Sequence, residues 1–388
     1  MRIDDAQRRA RLVDRHHLNR QGKDPVSVAR DLIGFHSSDP ASVYLSARAR
    51  VAALEPGTLE EALYEKRSLV RILGMRRTMF VVPSELVPIV HAACTRAIAV
   101  RERKRTLQLL EGAGMTGVDR TLADAEALVL GLLRQVGEAT TTEVTAQLPE
   151  LSRRIPVGVG TKGEGTIGFV PRVLFMLATD GRIVRGRPRG SWLSSQYRWG
   201  PMPARLLEEM ESLDARTARA GLARLWLRSF GPATAEDLKW WTGWGVRETR
   251  TALQDVGAVE VELDGSAGWV LPDDNALVRH GDPACALLPS LDPTTMGWRG
   301  RQWYLGDHRQ ALFDLNGNAG STVWWDGRVI GGWGQRRSGE VVVRLLEDAG
   351  SEARAAVDEE ADALRAWLGA VRVIPRFRTP LEKELSES

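Results

Sequence analysis

Apolar and polar positions follow two rhythms along this chain, and the switches between them outline its plan. "LLRQVGEATTTEV" from Leu132 and "LWLRSFGPATAEDL" from Leu225 share one pattern: an apolar helical run, a glycine, then Ala-Thr with an acidic residue shortly after. The glycine suits a helix C-terminus, and the aligned Thr140 and Thr234 suit the N-cap of the next helix. Two helices joined by so short a turn form a helix-turn-helix. "RVLFMLATDGRIVRGRP" follows the first copy and "RETRTALQDVGAVEVELDG" the second. Each predicts a third helix with apolar residues three to four apart, a glycine, and a short β pair. A third helix followed by a strand hairpin is the winged-helix plan.

The first 115 residues can be read the same way. "VSVARDLIG", "PASVYLSARARV" and "GTLEEALYEKRS" read as helices, the last with a capping box of Thr58 and Glu61. "LVRILGMRRTMFVVP" predicts two strands turning near Gly74 and Met75, with Arg76, Arg77 and Thr78 on the return. Ser84 is expected to cap a long helix that ends in the basic segment 101–105. From about residue 276 the pattern turns to β, with Asp326-Gly327 as a hairpin turn in "STVWWDGRVIGGW" and "EVVVRLLED" as the next strand. "SEARAAVDEEADALRAWLGA" reads as a capped amphipathic helix, and the tail as one more strand before fraying. The expected fold class is α+β: three tandem winged-helix (helix-turn-helix) domains over 1–115, 116–205 and 206–275, then a β-rich C-terminal domain with a terminal helix over 276–388. All thirteen tryptophans lie from Trp192 onward, which argues for differently built regions.

With 388 residues, 43% hydrophobic and 27% charged, the chain reads as a soluble multidomain protein. The charged opening "MRIDDAQRRARLVDRHH" predicts no secretory leader, and no apolar run reaches membrane length. Cys94 and Cys285 match no metal spacing. A cytoplasmic monomer without metal, cofactor or membrane partner is therefore expected. Of the 53 basic residues only six are lysines, and arginine's planar fork suits phosphate and base edges. GC-rich coding produces the same bias, so position matters more than number. One cluster holds Arg101, Arg103, Lys104 and Arg105. A second, Arg182, Arg185, Arg187 and Arg189, falls on the wing of the second unit, where phosphate contacts are wanted. Double-stranded DNA is the expected partner.

"GFHSSDP" from Gly34 is the candidate chemical segment. Asp39 at an N-cap with Pro40 after it makes a good helix start, and a free helix N-terminus also binds phosphate. His36 and Ser38, two apart in extended chain, point to one side and can both grip a water. Neutral imidazole accepts a proton near neutral pH; Asp39 can alternatively supply the negative charge.

Four elements, in order, resemble the AlkZ/YcaQ family of bacterial winged-helix DNA glycosylases. They are His36-Ser37-Ser38-Asp39-Pro40, Arg76-Arg77-Thr78-Met79-Phe80, Leu287-Leu288-Pro289-Ser290-Leu291-Asp292-Pro293, and Gly327-Arg328-Val329-Ile330-Gly331-Gly332-Trp333. His36 and Ser38 stand where the family places a pair of glutamines or a glutamine and an acid, and Phe80 where its hairpin has histidine. The resemblance implies a monofunctional N-glycosylase that hydrolyses the N-glycosidic bond of alkylated or bulky-adduct purines, with His36, Ser38 and Asp39 as catalytic candidates. A non-catalytic DNA-binding protein on the same scaffold, regulatory or architectural, is the alternative reading.

Overall fold

The computed structural model describes residues 1–387 apart from 159, 162, 163, 275 and 280. The chain opens with helix α1 (Asp5–Arg15), then α2 (Pro25–Asp31), strand β1 (Phe35–His36), α3 (Pro40–Arg48), α4 (Pro56–Glu60), and strands β2 (Leu69–Leu73) and β3 (Met79–Pro83). Strand β1 pairs antiparallel with β3, giving a sheet of order β1-β3-β2. Helices α5 (Val87–Val90) and α6 (Arg96–Gly112) lead to α7 (Val118–Val136), β4 (Ala139–Thr140) and α8 (Thr141–Gln147). The pair β5 (Arg154–Val157) and β6 (Gly165–Gly168) precedes α9 (Phe169–Thr179), β7 (Ile183–Pro188) and β8 (Tyr197–Pro201). This second sheet has the order β4-β8-β7, the same connectivity as the first.

Helix α10 (Ala204–Ser212) leads to a third pass: α11 (Ala215–Phe230), α12 (Ala235–Thr242), α13 (Val246–Asp255), β9 (Val259–Leu263) and β10 (Ser266–Val270). Here Ala233 alone takes the first-strand position, bridging Trp269. The aligned threonines behave alike. Thr140 accepts from Glu143 N at 3.2 Å while Glu143 accepts from Thr140 N at 2.7 Å, and Thr234 and Asp237 exchange the same two bonds at 3.1 Å each. Each box satisfies two N–H groups that a helix start leaves unpaired.

The last region is a four-stranded antiparallel sheet in chain order, β11 (Cys285–Leu288), β12 (Thr322–Trp325), β13 (Arg328–Gln335) and β14 (Val341–Leu345). Short helices α14 (Gln302–Leu305) and α15 (Arg309–Leu312) lie in the β11–β12 connection; α16 (Gly350–Leu368) and α17 (Pro380–Glu387) close the chain. Asp326 and Gly327, with φ of 49° and 75°, form the expected tight turn. Overall the protein is 49% helix and 19% strand, a mixed fold.

Four local expectations give way. Helix α4 starts at Pro56, whose ring fixes φ for a first turn, so Thr58 lies inside the helix and caps nothing. Ser84 opens a 3₁₀ turn without a capping bond. The basic segment sits in the middle of α6, which runs on to Gly112. The tail forms no strand: after an extended stretch it becomes α17, whose Leu381 and Leu385 are buried.

Packing shows what fixes the candidate segment. Residues 110–183 hold one core of their own, whereas a larger core runs from Leu12 through the β2–β3 hairpin and α11 to α17. Rings line that seam, with Phe230 on Trp298 at 5.2 Å and Tyr304 on Trp324 at 5.2 Å. Helix α3, directly after the HSSDP segment, is buried at every position. Val43, Tyr44 and Ala47 pack into the first unit, and Ala41 and Leu45 against the C-terminal sheet and α16. Its polar stripe is buried too. Ser42 donates to Ser290 O and Ser46 to Asp292 Oδ2, both at 2.6 Å. Arg50, just past the helix, grips both Asp292 oxygens at 2.9 and 2.6 Å.

Arg50 and Asp292 are each 0% exposed, so removing one strands the other's charge in a dry interior. Loss of one member of such a pair costs about 3–5 kcal/mol, while an apolar pair of similar volume is tolerated. Asp292→Ala is expected to lower the unfolding free energy, measured by denaturant titration, by that amount, and Arg50→Met with Asp292→Leu to restore most of it. A single variant that loses under about 1 kcal/mol would show that the pair does not hold α3 in place.

Candidate active site and nucleic-acid interface

The HSSDP segment leaves Gly34 at φ 139°, where a Cβ would lie 2.7 Å from Val81 O. Only glycine lets β1 come this close to β3. His36 then pairs with Phe80, and Ser37 N donates to Met79 O at 2.8 Å. The His36 imidazole is buried, edge-on to Phe80 at 5.1 Å, and Phe80 in turn meets Trp241 at 6.3 Å. Its Nδ1 accepts the Ser38 N–H at 3.5 Å. Burial, then the nearby Arg76 charge, drives its pKa down to about 3. An imidazole with that value is neutral at any physiological pH and a weak proton acceptor. Of the two expected bases, His36 is therefore the one whose proton affinity burial lowers.

Asp39 and Ser38 fare differently. Asp39 is the N-cap of α3, accepting from Ala41 N at 3.1 Å and, through its other oxygen, from Arg376 N at 2.8 Å. Burial lifts its carboxyl above the ordinary aspartate range, against the pull of those two N–H groups and the Arg376 charge. Burial thus moves the two groups in opposite directions. Ser38 is half-exposed beside it. Ser37 points the other way and accepts from Arg71 through its hydroxyl.

Arg71 introduces a group that the motif reading missed. Its guanidinium lies 4.6 Å from the Tyr197 ring centroid, and Arg185 lies 5.2 Å from the same ring and 5.1 Å from Trp199. Arg376 Nη1 reaches Ser38 O at 3.4 Å. Burial and the charges of Arg71 and Arg376 bring the Arg185 pKa down to about 10. A strand arginine inside the apolar run "LVRIL" was the one available sign of Arg71; nothing in the distant tail marked Arg376.

The β2–β3 tip does not project into solvent. Arg76, at φ 51°, stacks on Trp240 at 3.8 Å, and Arg301 lies 4.9 Å from the same indole. Burial and the Arg301 charge bring the Arg76 pKa to about 10. Thr78 Oγ1 donates to Met75 O at 2.8 Å and so holds the turn. Arg77 is half-exposed and pairs with Glu102 at 2.8 Å.

A model of the family described as DNA glycosylase AlkZ-like matches residues 29–367, which takes in HSSDP, the hairpin, both basic clusters and the C-terminal sheet. The chain belongs to the AlkZ-like DNA glycosylase family. It is accordingly a DNA glycosylase, with DNA as its substrate. No curated protein matches it significantly in sequence. Among solved structures the Streptomyces sahachiroi DNA glycosylase AlkZ is similar in fold, with a TM-score of 0.74 at 22% identity, over 96% of this chain and 99% of that one.

For an AlkZ-like glycosylase the expected DNA-contacting residues fall into two sets. Arg101, Lys104 and Arg105 share an exposed face of α6, and Arg182 and Arg189 are exposed at the two ends of β7. Arg103 and Arg187 are held within the fold. Arg103 bridges Glu126 at 2.7 Å and Asp180 at 2.6 Å, while Arg187 pairs with Glu60 and with Glu65 at 3.0 Å. Both are expected DNA contacts that carboxylates hold in this structure. Among the described residues no cluster of three His, Cys, Asp or Glu side chains could hold a metal, and no helix is long and apolar enough to cross a membrane.

The buried histidine has a pH consequence. Its pKa is 6.5 when free and about 3 when folded, so the unfolded chain binds a proton in that window that the folded one does not. The contribution is fully present above 6.5 and is lost as pH falls toward 3, at up to about 1.4 kcal/mol per pH unit. His16, buried and shifted the same way, adds a parallel loss. His36→Gln is expected to make the stability–pH slope between pH 6 and 4 shallower by about one proton's worth. An unchanged slope would mean that the imidazole titrates normally in the folded protein.

Proposed function

We propose that the protein hydrolyses the N-glycosidic bond of alkylated or bulky-adduct purines in double-stranded DNA, with Asp39 as the group that takes the water proton. The three repeated units serve as winged helices whose exposed guanidiniums at 77, 101, 105, 182 and 189, with Lys104, follow the duplex phosphates. The resemblance supplies the substrate class. The observation that carries the mechanism is Asp39 itself: a buried carboxylate with raised proton affinity, fixed by two backbone N–H groups beside the half-exposed Ser38.

The chemistry follows from these properties. A cationic alkylated purine is already a good leaving group, so no acid is required on the base. The C1′–N bond breaks, and its electron pair leaves with the purine. Positive charge grows on the sugar as an oxocarbenium ion, which the Asp39 carboxylate opposes. The water oxygen bonds to C1′, and its proton passes to Asp39, giving free base and an abasic site. Ser38 orients that water. His36 takes no proton; by accepting the Ser38 N–H it holds the segment in shape.

Asparagine caps a helix almost as well as aspartate but accepts no proton. Asp39→Asn keeps the cap on Ala41 N, gives up the bond to Arg376 N, and is expected to retain binding to damaged duplex while losing about 10² to 10⁴ in single-turnover excision. Ser38→Ala loses less. Excision that survives Asp39→Asn but collapses in His36→Gln would return the role to the histidine. A wild-type enzyme that binds duplex and releases no base from it would favour the non-catalytic reading.

A further inference from the structure

We propose that Arg71, Arg185 and Arg376, with the Tyr197 hydroxyl, form a pocket that takes one backbone phosphate of the damaged strand next to Asp39. This rests on the glycosylase reading above and specifies where the strand is gripped. The three guanidiniums come from three separate parts of the chain: β2, β7 and the segment before α17. Arg71 and Arg185 both lie against the Tyr197 ring, at 4.6 and 5.2 Å, and Arg376 reaches the backbone at Ser38. Two of the four groups have donors without acceptors. The Tyr197 hydroxyl and Arg185 Nε are shielded and make no hydrogen bond.

The neighbouring arginine makes the contrast. Arg187, two residues along the same strand, is paired with Glu60 and Glu65. Arg185 forms no ion pair among the described residues, although burial beside two further cations weakens its hold on its own proton. A buried donor left unsatisfied is destabilising, and stacking on Tyr197 and Trp199 offsets only part of that. A group that is costly in the free protein is best accounted for by a ligand that accepts its hydrogen bonds. Convergent forks and a hydroxyl fit a phosphodiester's oxygens. Its place beside Ser38 and Asp39 sets that phosphate next to the sugar under attack.

This role separates from a structural one because it predicts opposite signs for stability and binding. Arg185→Met removes an uncompensated charge, so its denaturation midpoint should equal or exceed that of wild type. Its affinity for a duplex carrying an alkylated purine should fall at least tenfold, and its log affinity against log salt should flatten by about one unit of slope. Duplexes with a single neutral methylphosphonate, moved one position at a time around the lesion, should show one position that weakens wild type but not Arg185→Met. Should Arg185→Met fold poorly, Arg185→Lys, which keeps the charge and loses the fork, should lose affinity at that same position only. An Arg185 variant that binds with wild-type affinity and slope, or a methylphosphonate profile identical in variant and wild type, overturns the pocket while leaving the glycosylase reading intact. If wild type itself shows no salt-dependent binding to duplex DNA, the glycosylase reading fails first and the pocket with it.

Discussion

The bidentate clasp between Arg50 and Asp292 is the interaction on which the rest of this structure depends. It has no exposure to water, and Ser46, Thr294 and the His16 carbonyl complete its hydrogen bonds. His16 extends the network by bonding Thr294 and reaching Ser229 O, so α1, α3, α11 and the loop after β11 meet around one carboxylate. A buried ion pair gains little net stability over an apolar equivalent, but it tolerates only one geometry. Here that geometry sets the direction of α3, whose first turn is capped by Asp39. The candidate base is thereby placed by a contact between the first unit and the C-terminal region.

Arginine serves two purposes in this chain, and the presence of a carboxylate tells them apart. Arg48, Arg103, Arg172 and Arg187 each meet an acid and weld one element to another. Arg76 and Arg185 meet aromatic rings instead, and each lies beside another cation. The Arg76 field helps keep His36 neutral, while the Arg185 group faces the Ser37–Asp39 side of the segment.

Much of this was legible in the sequence because it rests on local rules. The repeated Thr-and-acid boxes, the Asp39–Pro40 helix start and the Asp326–Gly327 turn each need only neighbours in the chain. Thr58 misled because Pro56 outranks a capping box when both compete for a helix start. The polar stripe of α3 shows a harder limit. Ser42, Ser46 and Arg50, four residues apart, look like a solvent-facing edge, yet each is buried against the loop at 290–294. Periodicity cannot distinguish water from a distant carboxylate. The same gap hid the site: His36 looked like a base because its burial behind Phe80 depends on a hairpin more than forty residues away. Arg103 and Arg187 looked free because their acids come from other elements.

On the proposed mechanism Asp39, and not His36, takes the proton when the glycosidic bond breaks. The dependence of single-turnover base release on pH, measured on a duplex with one cationic alkylated purine and corrected for spontaneous loss, tests it most directly. One rising limb is expected, with a midpoint above the 3.8 of an ordinary aspartate, and it disappears in Asp39→Asn. A limb that persists without the Asp39 carboxylate, or that is lost only when His36 is replaced, would contradict it.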